Sequence, residues 1–231
     1  MGLPGIMGKF LGVSEWVTFF LTVNLIWLLF NLPIIYFSVS LLFVGSTDEL
    51  HTLLVLLLIL VPFIFVPATT AMFAIVRKKI MGNYAGALIQ QYWKFYKGNY
   101  VRSLLGGLIL IPLWVIWGVN FTLANSGIGS PFFYFYMIIT SILLAFTNYF
   151  FADGVHFTLN IFASLRKSIF MSIGYFHYTI GLAMVSGITL FISYSLHPVL
   201  LVLFSGSVIA YIYFFGYYRI YRKAQGKVNG V

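Results

Sequence analysis

Two ionisable side chains inside an apolar stretch are the best candidates for chemistry in this sequence. Asp153, His156 and Asn160 recur at spacings of three and four residues, so they share one face of a helix. A carboxylate and an imidazole on one face form a ligand pair suited to holding a cation or relaying a proton. In the competing interpretation, Asp153 lies near the end of its helix and contacts water or pairs with basic residues. The sequence alone leaves both open.

Motifs of the common enzyme classes are absent from the sequence. It contains no Walker phosphate loop, HExxH zinc motif, GxSxG nucleophile elbow or dinucleotide-binding fingerprint. It also contains no cysteine, which excludes disulfides, thiolate metal sites and a cysteine nucleophile. A hydrolase would be expected to present more than one buried acid, and only four acidic residues occur in all. We therefore expect neither an enzyme nor a cofactor, and Asp153 with His156 is the one metal candidate.

The composition indicates that these residues are positioned by helices in lipid. Of the 231 residues, 61% are hydrophobic and 7% are charged, whereas about a quarter of a soluble domain is charged. So few polar residues cannot cover the surface of a domain of this size. The sequence therefore predicts an all-α integral membrane protein that forms a single domain over residues 1–231.

Six apolar runs are long enough to cross a bilayer, which takes about 20 helical residues for about 30 Å of hydrocarbon. We expect transmembrane spans at about residues 17–44, 53–76, 104–124, 132–162, 173–194 and 199–218. Pro33 predicts a kink or break in the first span, and Pro62 and Pro67 predict a bend in the second. Residues 125–131 read as a turn between the third and fourth spans.

The positions of the basic residues predict the orientation of these spans. If the N-terminus is cytoplasmic, all 13 Lys and Arg residues fall on the cytoplasmic side. The opposite side then holds Asp48, Glu49 and His51. Both termini are therefore expected in the cytoplasm. The net charge is +9, and the basic residues that cause it lie beside apolar spans. We therefore expect anionic lipid headgroups as their partner and no nucleic acid.

The segment between the second and third spans has the pattern of an amphipathic cytoplasmic helix. Its apolar side comprises Ala85, Leu88, Ile89, Tyr92, Trp93, Tyr96 and Tyr100, and another side carries Gln90, Lys94 and Lys97. We expect the apolar side to dip into the headgroup boundary, with the lysines facing phosphates or a protein. The residues predicted to contact a partner or headgroups are Arg77, Lys78, Trp93, Lys94, Lys97, Arg166 and Lys167.

A short internal similarity raises the question of a repeat. Residues 73–80 (FAIVRKKI) and 162–169 (FASLRKSI) agree at five positions, and each run passes from apolar to basic residues. One interpretation is that spans 2 and 3 repeat as spans 4 and 5. The other is that boundaries between apolar and basic segments resemble one another by chance.

Three further segments resemble the YesL family of bacterial membrane proteins. They are NLIWLLFNLP at 24–33, PATTAMFAIVRK at 67–78, and YWKFYKGNY at 92–100 followed by Gly106 and Gly107. The resemblance is strongest from about residue 8 to 118. It implies a multi-pass protein of the bacterial cell membrane, in a family that is largely of unknown function and has no active site to carry over.

The resemblance and the spans lead to two functional hypotheses. Genes of the YesL family often lie near carbohydrate uptake systems, which implies an accessory or interaction partner of a carbohydrate ABC importer. Proline-broken spans and a possible repeat are instead typical of a small transporter or channel for a small solute or ion. Such a protein normally places polar groups near the bilayer midplane, where this sequence has only amides.

Overall fold

The computed structural model describes residues 6–83, 86–124, 131–157 and 159–228. Within these ranges all regular structure is helical. The elements are α1 Ile6–Phe30, α2 Leu32–Ser40 with a 3₁₀ turn at Leu41–Phe43, α3 Thr47–Leu60, a π-helical turn at Val61–Phe65, α4 Val66–Ile80, α5 Leu88–Leu123, α6 Pro131–His156, α7 Ile161–Gly174, α8 Phe176–Leu196 and α9 Pro198–Val228. The predicted turn at 125–131 falls almost wholly outside the described residues, as do Tyr84 and Ala85.

Six helical stretches of the described chain are long and apolar enough to span a membrane. They are Leu11–Phe30, Thr47–Ile80, Leu88–Leu123, Pro131–His156, Phe176–Leu196 and Pro198–Gln225. The prediction of an all-α membrane protein with six transmembrane helices is thereby confirmed, although the bounds of several helices differ from those expected. The last helix, for example, extends well beyond the predicted limit at residue 218.

The first apolar run does not form one span from 17 to 44. Helix α1 ends at Phe30, and α2 begins after Asn31 with Pro33 in its first turn. Proline has no N–H and its ring clashes with the carbonyl one turn back, so the helix breaks before it. The Asn31 side chain donates to the Trp27 carbonyl at 2.8 Å. The apolar remainder, Leu32–Phe43, is too short to span by itself.

The second span starts earlier than predicted and is continuous over 34 residues. The Ser46 side chain accepts a hydrogen bond from the Glu49 backbone N–H at 3.3 Å, and the Glu49 carboxylate accepts one from the Gly45 N–H at 3.0 Å. This pair resembles a capping box and fixes the helix start. Further on, Pro62 lies in the π-helical turn between α3 and α4.

The amphipathic segment is helical as predicted, but it is the first part of α5 and continues into the third span without a break. Helix α5 has 36 residues, which is about 54 Å at 1.5 Å per residue. Tyr92 is fully buried, and its hydroxyl donates to the Ala68 carbonyl at 2.6 Å. The Phe30 ring packs against Tyr92 and Tyr96. The expectation that the whole apolar side lies in the headgroup boundary is therefore wrong for Tyr92, which faces the bundle.

The fourth span ends at His156 instead of residue 162, and a separate helix follows. Helix α7 has 14 residues, or about 21 Å, which is too short to cross about 30 Å of hydrocarbon. Residues 73–80 therefore end a spanning helix, whereas residues 162–169 lie within α7. The repeat interpretation would require the two similar segments to occupy equivalent places, and they do not.

Helix α4 forms the centre of the bundle. Its residues Val66–Val76 are all buried, and it contacts α1, α5, α6 and α9. Small residues permit the closest approaches, as at Gly107 of α5, where an added Cβ would lie 3.2 Å from the Pro62 Cα. Near the α6–α7 connection, Arg77 of α4 contacts His156 of α6, and Arg102 of α5 contacts the Phe157 carbonyl.

Candidate functional site

The carboxylate of Asp153 is the centre of a polar cluster between helix ends. Asp153 is fully buried in α6. Its Oδ1 accepts hydrogen bonds from Lys167 Nζ and from the Tyr217 hydroxyl, each at 2.6 Å. Its Oδ2 accepts one from Ser164 and lies 3.9 Å from Arg102 Nη2. Residues from α5, α6, α7 and α9 thus meet at one carboxylate, and we call these five residues the Asp153 cluster.

The members of the cluster also bind one another. Arg102 donates from Nη2 to the Ser164 hydroxyl at 2.9 Å, and Lys167 donates to the Tyr217 hydroxyl at 2.9 Å. Each hydroxyl therefore accepts a hydrogen bond from a cation and donates its single O–H to the carboxylate. These bonds offset part of the cost of burying charge, although Arg102 Nε is buried without a hydrogen-bond partner in the described part of the chain.

The cluster also stabilises the break between α6 and α7. Arg102 donates from Nη1 to the Phe157 carbonyl at 2.8 Å, which satisfies a carbonyl at the end of α6. Lys167 Nζ lies 3.8 Å from the centre of the Phe157 ring, a cation–π distance. Two basic residues therefore hold the connecting segment against the bundle.

The arrangement is an ion pair between cations and one carboxylate, as in the pairing interpretation of Asp153. Both carboxylate oxygens already accept hydrogen bonds, so a metal ion there would have to displace them. Within the described residues, no group of three or more His, Cys, Asp and Glu side chains is placed to hold a metal. Asn160 precedes α7 and does not continue the α6 face, so the predicted three-residue face is wrong in its last member.

His156 has different partners from Asp153. Its Nδ1 accepts a hydrogen bond from Arg77 Nε at 3.2 Å. Its ring packs edge-on against Phe157, Tyr218 and Tyr221. The imidazole therefore links α4 to α6 and α9, and it belongs to a second polar contact beside the Asp153 cluster.

The seven predicted contact residues divide into two groups. Arg77 and Lys167 form the internal contacts given above, and Lys78 donates to Gln91 at 3.1 Å. Exposed positions are held by Trp93, Lys94, Lys97 and Arg166. The second group is therefore the one available to a partner or to headgroups.

Three members of the cluster were not singled out from the sequence. Arg102 was counted only as a basic residue, and Ser164 and Tyr217 were not considered. Ser164 and Lys167 are three residues apart, so they share a helix face, and this spacing is a local signal. Tyr217 lies 64 residues from Asp153, and no local pattern indicates their contact.

The helices and the cluster define the class of the molecule: an all-α, multi-pass membrane protein in which basic residues of α5 and α7 meet at a buried acid. Residues 20–121 match the model of the family described as "Protein of unknown function, DUF624". The chain is 27% identical over 226 residues to the uncharacterized protein YteU of Bacillus subtilis (strain 168), which covers 96% of this chain and 89% of that protein. No solved structure matches. Neither description assigns an activity.

Proposed function

We propose that the protein is a non-catalytic component of the bacterial cell membrane, related to the YesL family, that acts as an accessory or interaction partner of a carbohydrate uptake system. The family resemblance supports the carbohydrate connection. The polar cluster supports a non-catalytic role, because its carboxylate is committed to hydrogen bonds within the protein.

We also propose that both termini lie in the cytoplasm. Arg77, Arg102 and Lys167 all make contacts near the α6–α7 connection. They support this orientation because they gather cations of α4, α5 and α7 at one end of the bundle, as expected for the cytoplasmic side. Asp48 and Glu49 begin the 34-residue helical stretch whose other end carries Arg77 and Lys78. In intact cells, a membrane-impermeant maleimide should label Asp48→Cys and should label Lys223→Cys only after permeabilisation. The reverse pattern would overturn the orientation.

The observation that carries the partner proposal is the exposed surface of the first part of α5. Ile89 and Trp93 are 64% and 47% exposed and lie one turn apart. Lys94 and Lys97 are exposed beside them, with Lys97 Nζ 4.5 Å from the centre of the Trp93 ring. Tryptophan is enriched at protein-binding hot spots, and the lysines beside it would attract an acidic surface on a partner.

Charge reversal at this surface is expected to abolish partner binding. In Lys94→Glu/Lys97→Glu, subunits of a carbohydrate ABC importer should no longer co-purify from native-host membranes in mild detergent. Arg219→Glu/Arg222→Glu is the matched control, since it reverses two exposed cations on α9 and should retain the subunits. Equal recovery of importer subunits with both double variants, at the wild-type level, would contradict the proposal.

A half-open cavity between the helices favours a second candidate, a small transporter or channel. The cavity measures about 390 Å³, within the range of ligand sites, and no charged residue lines it. On its wall, the Trp27 indole donates to Thr69 and the Trp114 indole donates to Thr147, both at 3.1 Å. Asn148 also lines it. An uncharged solute suits such a wall, because burial of an unpaired charge is costly.

Transport through this cavity predicts that filling it stops flux. Ser205 lines the cavity and is partly exposed. In reconstituted vesicles, Ser205→Phe should lower the uptake of radiolabelled neutral sugars at least tenfold. Ser193→Phe, on α8 outside the cavity, should transport as the wild type does. Absence of sugar uptake by the wild-type protein would contradict this candidate and leave partner binding as the function.

A further inference from the structure

Helix α7 is amphipathic in the opposite sense to a helix on the surface of a soluble protein. The side that faces the bundle is rich in hydroxyls, since Ser164, Ser168 and Ser172 are all buried. The opposite side carries large apolar residues, with Phe162 79% exposed and Phe170 63% exposed. A helix in contact with water places these residue types the other way round.

The outward residues form one continuous face. Phe162, Arg166, Ile169, Phe170 and Ile173 follow one another at spacings of four, three, one and three residues, which keeps them within about 100° around the helix axis. The Arg166 guanidinium lies 5.5 Å from the centre of the Phe170 ring. A single exposed cation therefore lies among four exposed apolar side chains.

The position of α7 determines what can cover this face. The helix is too short to span the bilayer, and Ser164 and Lys167 fix its inner side to Asp153. It therefore lies at the end of the bundle where the basic residues gather. Helices that lie in the plane of an anionic bilayer surface carry a large apolar face together with cations. Helix α7 has this composition and lies at the end of the bundle where the basic residues gather.

We propose that α7 is an interfacial helix that binds the anionic surface of the membrane. Phe162, Ile169, Phe170 and Ile173 enter the boundary between headgroups and acyl chains, and Arg166 contacts lipid phosphates. The ion pair at Asp153 holds the helix in the rotation that turns these residues outward. This inference rests on the membrane architecture and does not require a protein partner.

Because the sequence contains no cysteine, a single introduced cysteine can be labelled without first removing native ones. Single variants Phe162→Cys and Phe170→Cys would be labelled with a nitroxide and reconstituted into vesicles of phosphatidylglycerol and phosphatidylcholine. The ratio of the label's accessibility to oxygen to its accessibility to a water-soluble nickel chelate then reports how deeply the label lies in the bilayer. Lys223→Cys, exposed near the end of α9, serves as the aqueous reference, and Val115→Cys, exposed in the third span, serves as the hydrocarbon reference.

The accessibility ratios of labels at positions 162 and 170 should lie between the ratios at the two reference positions. A ratio equal to that at position 223 would overturn the proposal, since it would mean that the face is in water. A ratio equal to that at position 115 would overturn it as well, since α7 would then lie in the hydrocarbon core.

A separate measurement tests the role of Arg166. The depth at position 170 should increase as phosphatidylglycerol replaces phosphatidylcholine, and Arg166→Gln should remove this dependence. A dependence unchanged by Arg166→Gln would overturn the assignment of the cation to lipid phosphate. Purified protein in vesicles contains no importer, so these results are independent of the proposed protein partner.

Discussion

Replacing Asp153 with asparagine is expected to lower the free energy of unfolding by about 3 kcal/mol, because two cations lose their counter-ion while they remain among the helices. This is the lower part of the range for broken buried ion pairs, since the Lys167 and Arg102 side chains keep 27% and 21% of their surface exposed. Asparagine retains a similar shape and still accepts a hydrogen bond from Tyr217, so the loss reports mainly the charge.

Unfolding of purified protein in detergent, followed by tryptophan fluorescence, measures this loss. Asp48→Asn is the control, because Asp48 is an exposed acid in the first turn of α3 and should contribute only about 0.3–1 kcal/mol. Adding Lys167→Met to Asp153→Asn should recover part of the stability, because a charge no longer remains unpaired. A cost for Asp153→Asn no larger than that for Asp48→Asn would contradict the central role of the carboxylate.

Much of the helical architecture could be predicted from the sequence, because bilayer thickness imposes a length on every span. The run from 199 to 218 needed no tertiary information, and residues 198–225 form the corresponding helix. These predictions depend on composition over about 20 residues, which is a local property of the chain.

The break between α6 and α7 could not be predicted in the same way. Residues 157–160 contain neither proline nor glycine, and the local signals are limited to Gly154 in the last turn of α6 and Asn160, the N-cap of α7. Arg102, 55 residues away in sequence, binds the Phe157 carbonyl and adds a tertiary contact to this helix end. The same reasoning applies to Tyr217, whose contact with Asp153 exists only once α6 and α9 pack together.

The continuity of α5 was missed for a related reason. Lys94, Lys97 and Arg102 marked residues 82–103 as lying outside the bilayer, which suggested a separate helix. Polarity reports the surroundings of a segment and does not by itself end a helix. Proline does not always end one either, since the first run breaks at Pro33, whereas the second span continues through Pro62 and α5 continues through Pro112.

Gly106→Leu is expected to be the most destabilising single substitution on α5. A Cβ at residue 106 would overlap the Phe150 ring at Cζ. Phe150 is 2% exposed, so its ring has little room to move. Overpacking a close-packed site costs about 1–3 kcal/mol and occasionally more, and we expect at least about 3 kcal/mol here because an entire isobutyl group must be accommodated between α5 and α6.

Gly98→Leu is the matched control on the same helix. A Cβ at residue 98 meets nothing within 4 Å, and leucine has a higher helix propensity than glycine, so this variant should gain about 0.5–1 kcal/mol. Both unfolding free energies would be measured in the same detergent. In the Gly106→Leu background, Phe150→Ala should recover part of the loss, because the two side chains compete for one space. Equal stabilities for Gly106→Leu and Gly98→Leu would mean that α5 and α6 do not pack at this glycine.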